Sequence, residues 1–324
     1  MRVIYLLIFL LSLVVSGCAT TFSDDPALWV YNNGNLPKPD TSLNIAGLGP
    51  CTDNPDRTLH LNSNSSVTIL AHGCFASSGR FRALAEVFAF HGQQTACFNY
   101  NDRDSLTDSA DEMIAAIREL NTSINNKDFT IIGHSQGGLI SRRALIRERE
   151  SSLINEDINL NLVTISSPIN GIDAASHCGS TTLRVATLGL ITPVCYAISG
   201  GKWYEITAQS DFIQKPGNLV PQVSDYLKIV TDEKNTCRLY RNDGSCAEDD
   251  YVFSLDEQYF KVIDEDKRLK NVQVHAGHVE IVGDHTIAPR KLIRILQNQG
   301  YLSATSVNRQ QSLERLLTKL YGLQ

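Results

Sequence analysis

One stretch of this chain constrains its fold more than any other. Asp128-Phe129-Thr130-Ile131-Ile132 is aromatic and β-branched and too short for a helix, so it reads as a buried strand. Gly133-His134-Ser135-Gln136-Gly137 follows. Gly138 to Arg149 then has helical spacing, with Leu139, Ile140, Ala144, Leu145 and Ile146 on its buried side. A strand that becomes a helix within five residues holds Ser135 at the tip of a tight, strained turn, and the small glycines let strand and helix approach closely.

The rest of the chain repeats the alternation of strand and helix. Val67–Ala71 is a short buried strand, followed by His72-Gly73-Cys74 and a helix from about Phe81 to Phe90. Gln94–Tyr100 is the next strand. Ser105–Leu120 is an amphipathic helix with Met113, Ile114, Ile117 and Leu120 at helical spacing. Leu160–Ile165, Tyr226–Val230 and Asn271–His275 read as further strands, and Thr286–Gln297 and Ser303–Leu323 as helices. Strands alternating with helices predict a mostly parallel sheet covered on both faces. The alternation breaks over about 170–222, where Leu183–Ile198 is mostly apolar yet interrupted by Arg184 and Pro193.

Composition closes off other classes. A net charge of −6 argues against nucleic acid as a partner, and 42% hydrophobic residues suit a globular core. Solenoid repeats, Walker or dinucleotide glycine patterns and H-E-x-x-H are all missing from the sequence. Nothing in it asks for a cofactor or a metal.

The first residues read as a targeting segment. Arg2 is followed by an apolar run from Val3 to Val15 and then by Ser16-Gly17-Cys18. Val15-Ser16-Gly17-Cys18 resembles the lipobox of bacterial lipoproteins. That resemblance implies cleavage after residue 17, lipidation of Cys18, and attachment to the cell envelope; Ala19 after the cysteine implies the outer membrane. Residues 18–65, rich in Asn, Asp, Pro and Gly, read as tether and N-terminal wrap. The main domain spans 66–300, and 301–324 is a C-terminal helix. For an exported chain the other seven cysteines suggest disulfides. Cys237 and Cys246 would close a short loop worth roughly 2–3 kcal/mol, and Cys178 with Cys195 would staple the 170–222 insertion. Of Cys51, Cys74 and Cys97, one is left odd.

The elbow and the His72-Gly73 turn together resemble the α/β-hydrolase superfamily, in its bacterial lipase and esterase branch. The resemblance implies a Ser-His-acid hydrolase with Ser135 as nucleophile and the N–H groups of Cys74 and Gln136 as oxyanion donors. It makes the 170–222 insertion a small helical cap over Ser135. The base should follow the last strand. His278 fits that layout better than His285, and Gly277 leaves room for the bend. For the acid, Asp249 lies in a stretch that partly matches the family's pattern, with Asp250 and Asp243 as alternatives. The expected substrate is a carboxylic ester, an acyl ester or lipid, with the membrane reached through Cys18. A serine peptidase or amidase on the same fold, or an inactive surface-anchored binding protein, stays open as an alternative.

Overall fold

The computed structural model describes residues 35–173, 200–284 and 287–322. Eleven strands are defined among them. β1 (Thr41–Leu43) pairs antiparallel with β3 (Leu59–Leu61). β9 (Cys237–Tyr240) pairs antiparallel with β10 (Cys246–Asp249). The other seven are β2 (Leu48–Gly49), β4 (Val67–Ala71), β5 (Gln94–Phe98), β6 (Asp128–His134), β7 (Asn159–Ile165), β8 (Val223–Asp232) and β11 (Leu269–His275). They form one sheet in the order β11-β8-β7-β6-β4-β5-β2. Only β2 runs antiparallel to its neighbour in this sheet.

Successive residues of a strand face opposite sides of the sheet, and the core divides accordingly. Ile69, Ile131 and Leu162 belong to one buried cluster with Leu106, Met113, Ile114 and Ile117 of helix α2 (Leu106–Ser123) and Leu139 and Ile140 of α3 (Gln136–Ala144). Leu70, Ile132 and Val163 belong to the other. There they meet Leu84, Val87 and Phe88 of α1 (Arg82–Phe90), Leu292, Ile293 and Leu296 of α4 (Arg290–Asn298), and Leu313, Leu316 and Leu317 of α5 (Gln310–Leu320). The parallel sheet covered on both faces, expected from the alternation, is therefore present.

Two segments depart from the sequence expectation. Helix α3 stops at Ala144 rather than near Arg149. Leu145 and Ile146 leave the helix because their backbone pairs with the chain before β8: Val220 N–H donates to Leu145 O at 2.8 Å, Arg147 N–H to Asn218 O at 2.9 Å, and Ile146 bridges Leu219. The second is the wrap before residue 66, which also supplies β2 as the antiparallel edge of the main sheet. Cys51, just after β2, is bonded to Cys97 in β5. Cys74 is the free cysteine among the described residues. The expected Cys237–Cys246 bond ties β9 to β10.

Of the insertion, residues 174–199 lie outside the described residues. So do Cys178, Cys195, the apolar run 183–198 and the N-terminal segment with Cys18. The described remainder holds a 3-10 turn at Gly200–Trp203 and one helical turn at Asp211–Gln214. Glu205 lies at the N-terminus of α2, where its carboxylate accepts the N–H of Leu106 at 2.6 Å and the hydroxyl of Thr107 at 2.6 Å. A carboxylate there answers the orphan amides and positive end of the helix.

Candidate active site

The carboxyl ends of β4, β6, β7, β8 and β11 bring the chemistry-bearing residues together. Ser135 is the residue between β6 and α3, with φ of 55° and ψ of −124°. That conformation is costly for any residue with a side chain, and it is kept only where surrounding packing over-determines it. The packing is visible in the glycines. A Cβ on Gly133 would lie 2.4 Å from Gly137 O, and one on Gly137 would lie 2.3 Å from Ala71 O. Neither position has room for a methyl group, so the pattern of the elbow follows from close contact of β6, α3 and β4.

The His72-Gly73 turn after β4 lies against Ser135: a Cβ on Gly73 would be 2.9 Å from Ser135 Cβ. The turn that leads into Cys74 thus lies against Ser135. His72 braces the turn. Its ring stacks on Tyr100 with centroids 4.3 Å apart, its Nδ1 lies 2.9 Å from Gly73 O, and its carbonyl accepts the Tyr100 hydroxyl at 2.6 Å. Burial pushes the His72 imidazole below its usual range, so it is held neutral. On the outer side, Phe75 has φ of 54° and donates its N–H to Asp102 Oδ2 at 2.7 Å. Buried Lys202, from the 3-10 turn within the insertion, donates to Cys74 Sγ at 2.7 Å, to Gln136 Oε1 and to Asp102 O. The loop carrying Cys74 and the first residue of α3 are thus stitched to one cation.

His278 lies three residues beyond β11 and is buried. Its carbonyl is 3.0 Å from Nε2 of His134, the residue beside Ser135, and the two rings are 4.7 Å apart. Burial first, and then the neighbouring His278, hold His134 well below the usual histidine range. The neutral His134 ring therefore donates to the loop that carries His278. His285 lies outside the described residues.

The carboxylate facing His278 is that of Glu233, and this corrects the sequence expectation. Glu233 Oε1 is 3.1 Å from His278 Nδ1. Its Oε2 accepts the backbone N–H of Val252 at 2.6 Å and of Phe253 at 2.8 Å. Burial alone would raise its pKa, but the His278 contact and these donors hold it below the ordinary carboxylate value. Glu233 follows β8 directly, 16 residues before the Asp249 stretch that partly matches the family's pattern.

The three aspartates considered for that position do other work. Asp249 is exposed in β10 and accepts the N–H of Tyr251 at 3.0 Å. Asp243 is exposed in the β9–β10 turn and accepts the N–H and hydroxyl of Ser245. Asp250 is buried, and it holds the His278 loop by its backbone. Its carboxylate accepts the N–H of Val279 and Glu280, both at 2.9 Å, and its carbonyl accepts that of His278 at 2.9 Å. Burial raises its pKa in spite of those donors. Gly277 makes the space: a Cβ there would lie 2.0 Å from Asp250 Oδ2.

Ser135, His278 and Glu233 thus share one end of the sheet, with two backbone turns beside the serine. Such an arrangement can activate a hydroxyl, deliver it to a carbonyl and return the proton to a leaving group. Among the described residues no group of three or more His, Cys, Asp or Glu is placed to hold a metal ion.

Comparison with known proteins bears on the family and the fold. The family model for palmitoyl protein thioesterase matches residues 68–273, from β4 into β11. No curated protein matches the chain. Among solved structures, the lipase BlEst2 of Bacillus licheniformis in its mature form is 14% identical, with a TM-score of 0.50 over 81% of this chain and 99% of that one. The same lipase in its propeptide form is also 14% identical at TM-score 0.50, over 83% of this chain and 55% of that one. A carboxylesterase of Nitrososphaera gargenis is 12% identical at TM-score 0.45, over 75% and 92%. The strand order and the lipase likeness are those of the α/β-hydrolase fold.

Proposed function

The chain belongs to the palmitoyl protein thioesterase family and is a hydrolase, and from that premise we propose that it cleaves acyl esters and thioesters by way of an acyl-enzyme on Ser135. One observation carries the reading: the strained Ser135 lies beside the loop of an imidazole whose Nδ1 faces the buried carboxylate of Glu233. Ser135 Oγ attacks the acyl carbonyl as His278 Nε2 takes its proton. The backbone N–H groups of Cys74 and Gln136 bind the oxyanion. The imidazolium, steadied by Glu233, then protonates the departing alcohol or thiol. Water repeats the sequence on the acyl-enzyme and releases the acid.

The acyl preference follows from the apolar 183–198 run, read as part of a cap over Ser135. Each methylene taken into such a pocket is worth about 0.8 kcal/mol of transfer free energy. kcat/KM is therefore expected to rise with chain length from acetyl to octanoyl, for both p-nitrophenyl esters and acyl thioesters, and to vanish in Ser135→Ala. A profile that peaks at acetyl, or faster turnover of amides than of esters, would overturn the assignment.

The envelope location rests on Val15-Ser16-Gly17-Cys18. We propose that Cys18 carries the lipid and tethers the domain at a membrane surface. In a bacterial host, metabolic labelling with radioactive palmitate should mark the wild type and not Cys18→Ser. A mature N-terminus elsewhere than residue 18, read by mass spectrometry, would refute the anchor.

A further inference from the structure

A second serine lies behind the base. Ser166 is the first residue after β7 and is fully buried, with φ of 43°. Glycine is the ordinary occupant of such a backbone conformation, so a serine there is retained against strain. Its hydroxyl lies 2.7 Å from Glu233 Oε1 and 2.8 Å from His278 Nδ1. That second contact is shorter than the direct 3.1 Å between His278 Nδ1 and Glu233 Oε1. Thr231 Oγ1 stands 2.8 Å from Ser166 Oγ and 2.8 Å from Glu233 Oε1.

Counting protons fixes the direction of these bonds. An ionised carboxylate only accepts, so the single proton of Ser166 goes to Glu233. Ser166 Oγ must then accept from His278 Nδ1–H. The hydroxyl is not needed merely to satisfy the buried carboxylate. Two backbone amides already serve Oε2, and Thr231 reaches Oε1. What Ser166 alone adds is a second acceptor for the imidazole proton.

We infer that Ser166 is a positioning residue for acyl transfer: it holds His278 in the Nδ1–H tautomer, so that Nε2 is free to take the Ser135 proton. The inference rests on the hydrolase reading above, and the experiment separates the two. Ser166→Gly, which removes the hydroxyl and relaxes the positive φ, and Ser166→Ala are compared with the wild type in hydrolysis of p-nitrophenyl butyrate. Labelling of Ser135 by a fluorophosphonate probe is followed in parallel. kcat should fall about 10- to 100-fold with KM within about two-fold, and labelling should slow in step. In a Glu233→Gln background the further loss from Ser166→Gly should shrink to less than about three-fold, because groups acting through one imidazole are not additive. If Ser166→Ala misfolds, Ser166→Gly still decides. A labelled wild type beside a Ser166→Gly enzyme of near-normal kcat overturns the inference alone, as does full multiplication of the two losses. A wild type that the probe does not label overturns the hydrolase reading and this inference with it.

Discussion

Ser135→Ala is expected to lower kcat by about 10⁴- to 10⁶-fold, and His278→Ala by a similar factor, because nucleophile and base act as a unit and losing either removes the acyl-enzyme route. The fold should tolerate both. Ser135 has φ of 55°, a conformation that alanine also finds costly but that the close contact of Gly133, Gly137 and Ala71 imposes on any occupant. The loop around His278 is held by backbone bonds to Asp250 and by the His134 ring, neither of which needs the His278 side chain. Thermal unfolding should therefore change little in Ser135→Ala while turnover collapses, whereas His278→Ala, which takes a partner from buried Glu233, should also lower Tm. If His278→Ala keeps near-normal kcat and His285→Ala loses it, the base has been misassigned.

The second large effect concerns the acid. Glu233→Gln keeps the shape of the side chain but removes the charge that steadies the imidazolium, and kcat should drop about 10³- to 10⁴-fold. Asp249→Asn and Asp243→Asn, both exposed, should leave it within about two-fold. A drop in Asp249→Asn equal to that in Glu233→Gln would restore the original assignment. Stability offers an independent check with a definite sign. The pKa of Glu233 is lowered on folding from an ordinary value of 4.5. Its ionisation therefore contributes stability above that value, and the contribution is lost as pH falls through the lower folded pKa. The difference in Tm between wild type and Glu233→Gln should be widest near neutrality and shrink as pH falls below about 4.

The features legible in the sequence were those governed by local rules. The short apolar strands and the 3.6-period helices of the sheet region follow from apolar runs and spacing, and most of their ends fall within a few residues of the structure, although the C-terminal helix expected from Ser303 begins at Gln310. The elbow was legible because three constraints coincide in five residues. His278 was placed by its distance from β11. The acid was not, because a carboxylate at a site is distinguished by where its oxygens point. Glu233 follows β8 and Asp249 ends β10, yet only Glu233 is buried between the Val252–Phe253 amides and His278. The role of Ser166 was illegible for the same reason: its value lies in contacts to residues 67 and 112 positions away. The end of α3 was misjudged because bonds to a segment over 70 residues later won over helical propensity.

The order of strands in the sheet also governs when activity can first appear. The strand carrying Ser135 is near the middle, yet Glu233 and His278 follow β8 and β11, and β11 is the last to be threaded onto the opposite edge. Closing contacts such as that between His134 and His278, 144 positions apart, costs loop entropy before it gains anything, and parallel pairing of this kind is slow. A chain part-way through folding thus has the Ser135 turn early and His278 late. An ester analogue that reacts only with the assembled site would report the last step of folding.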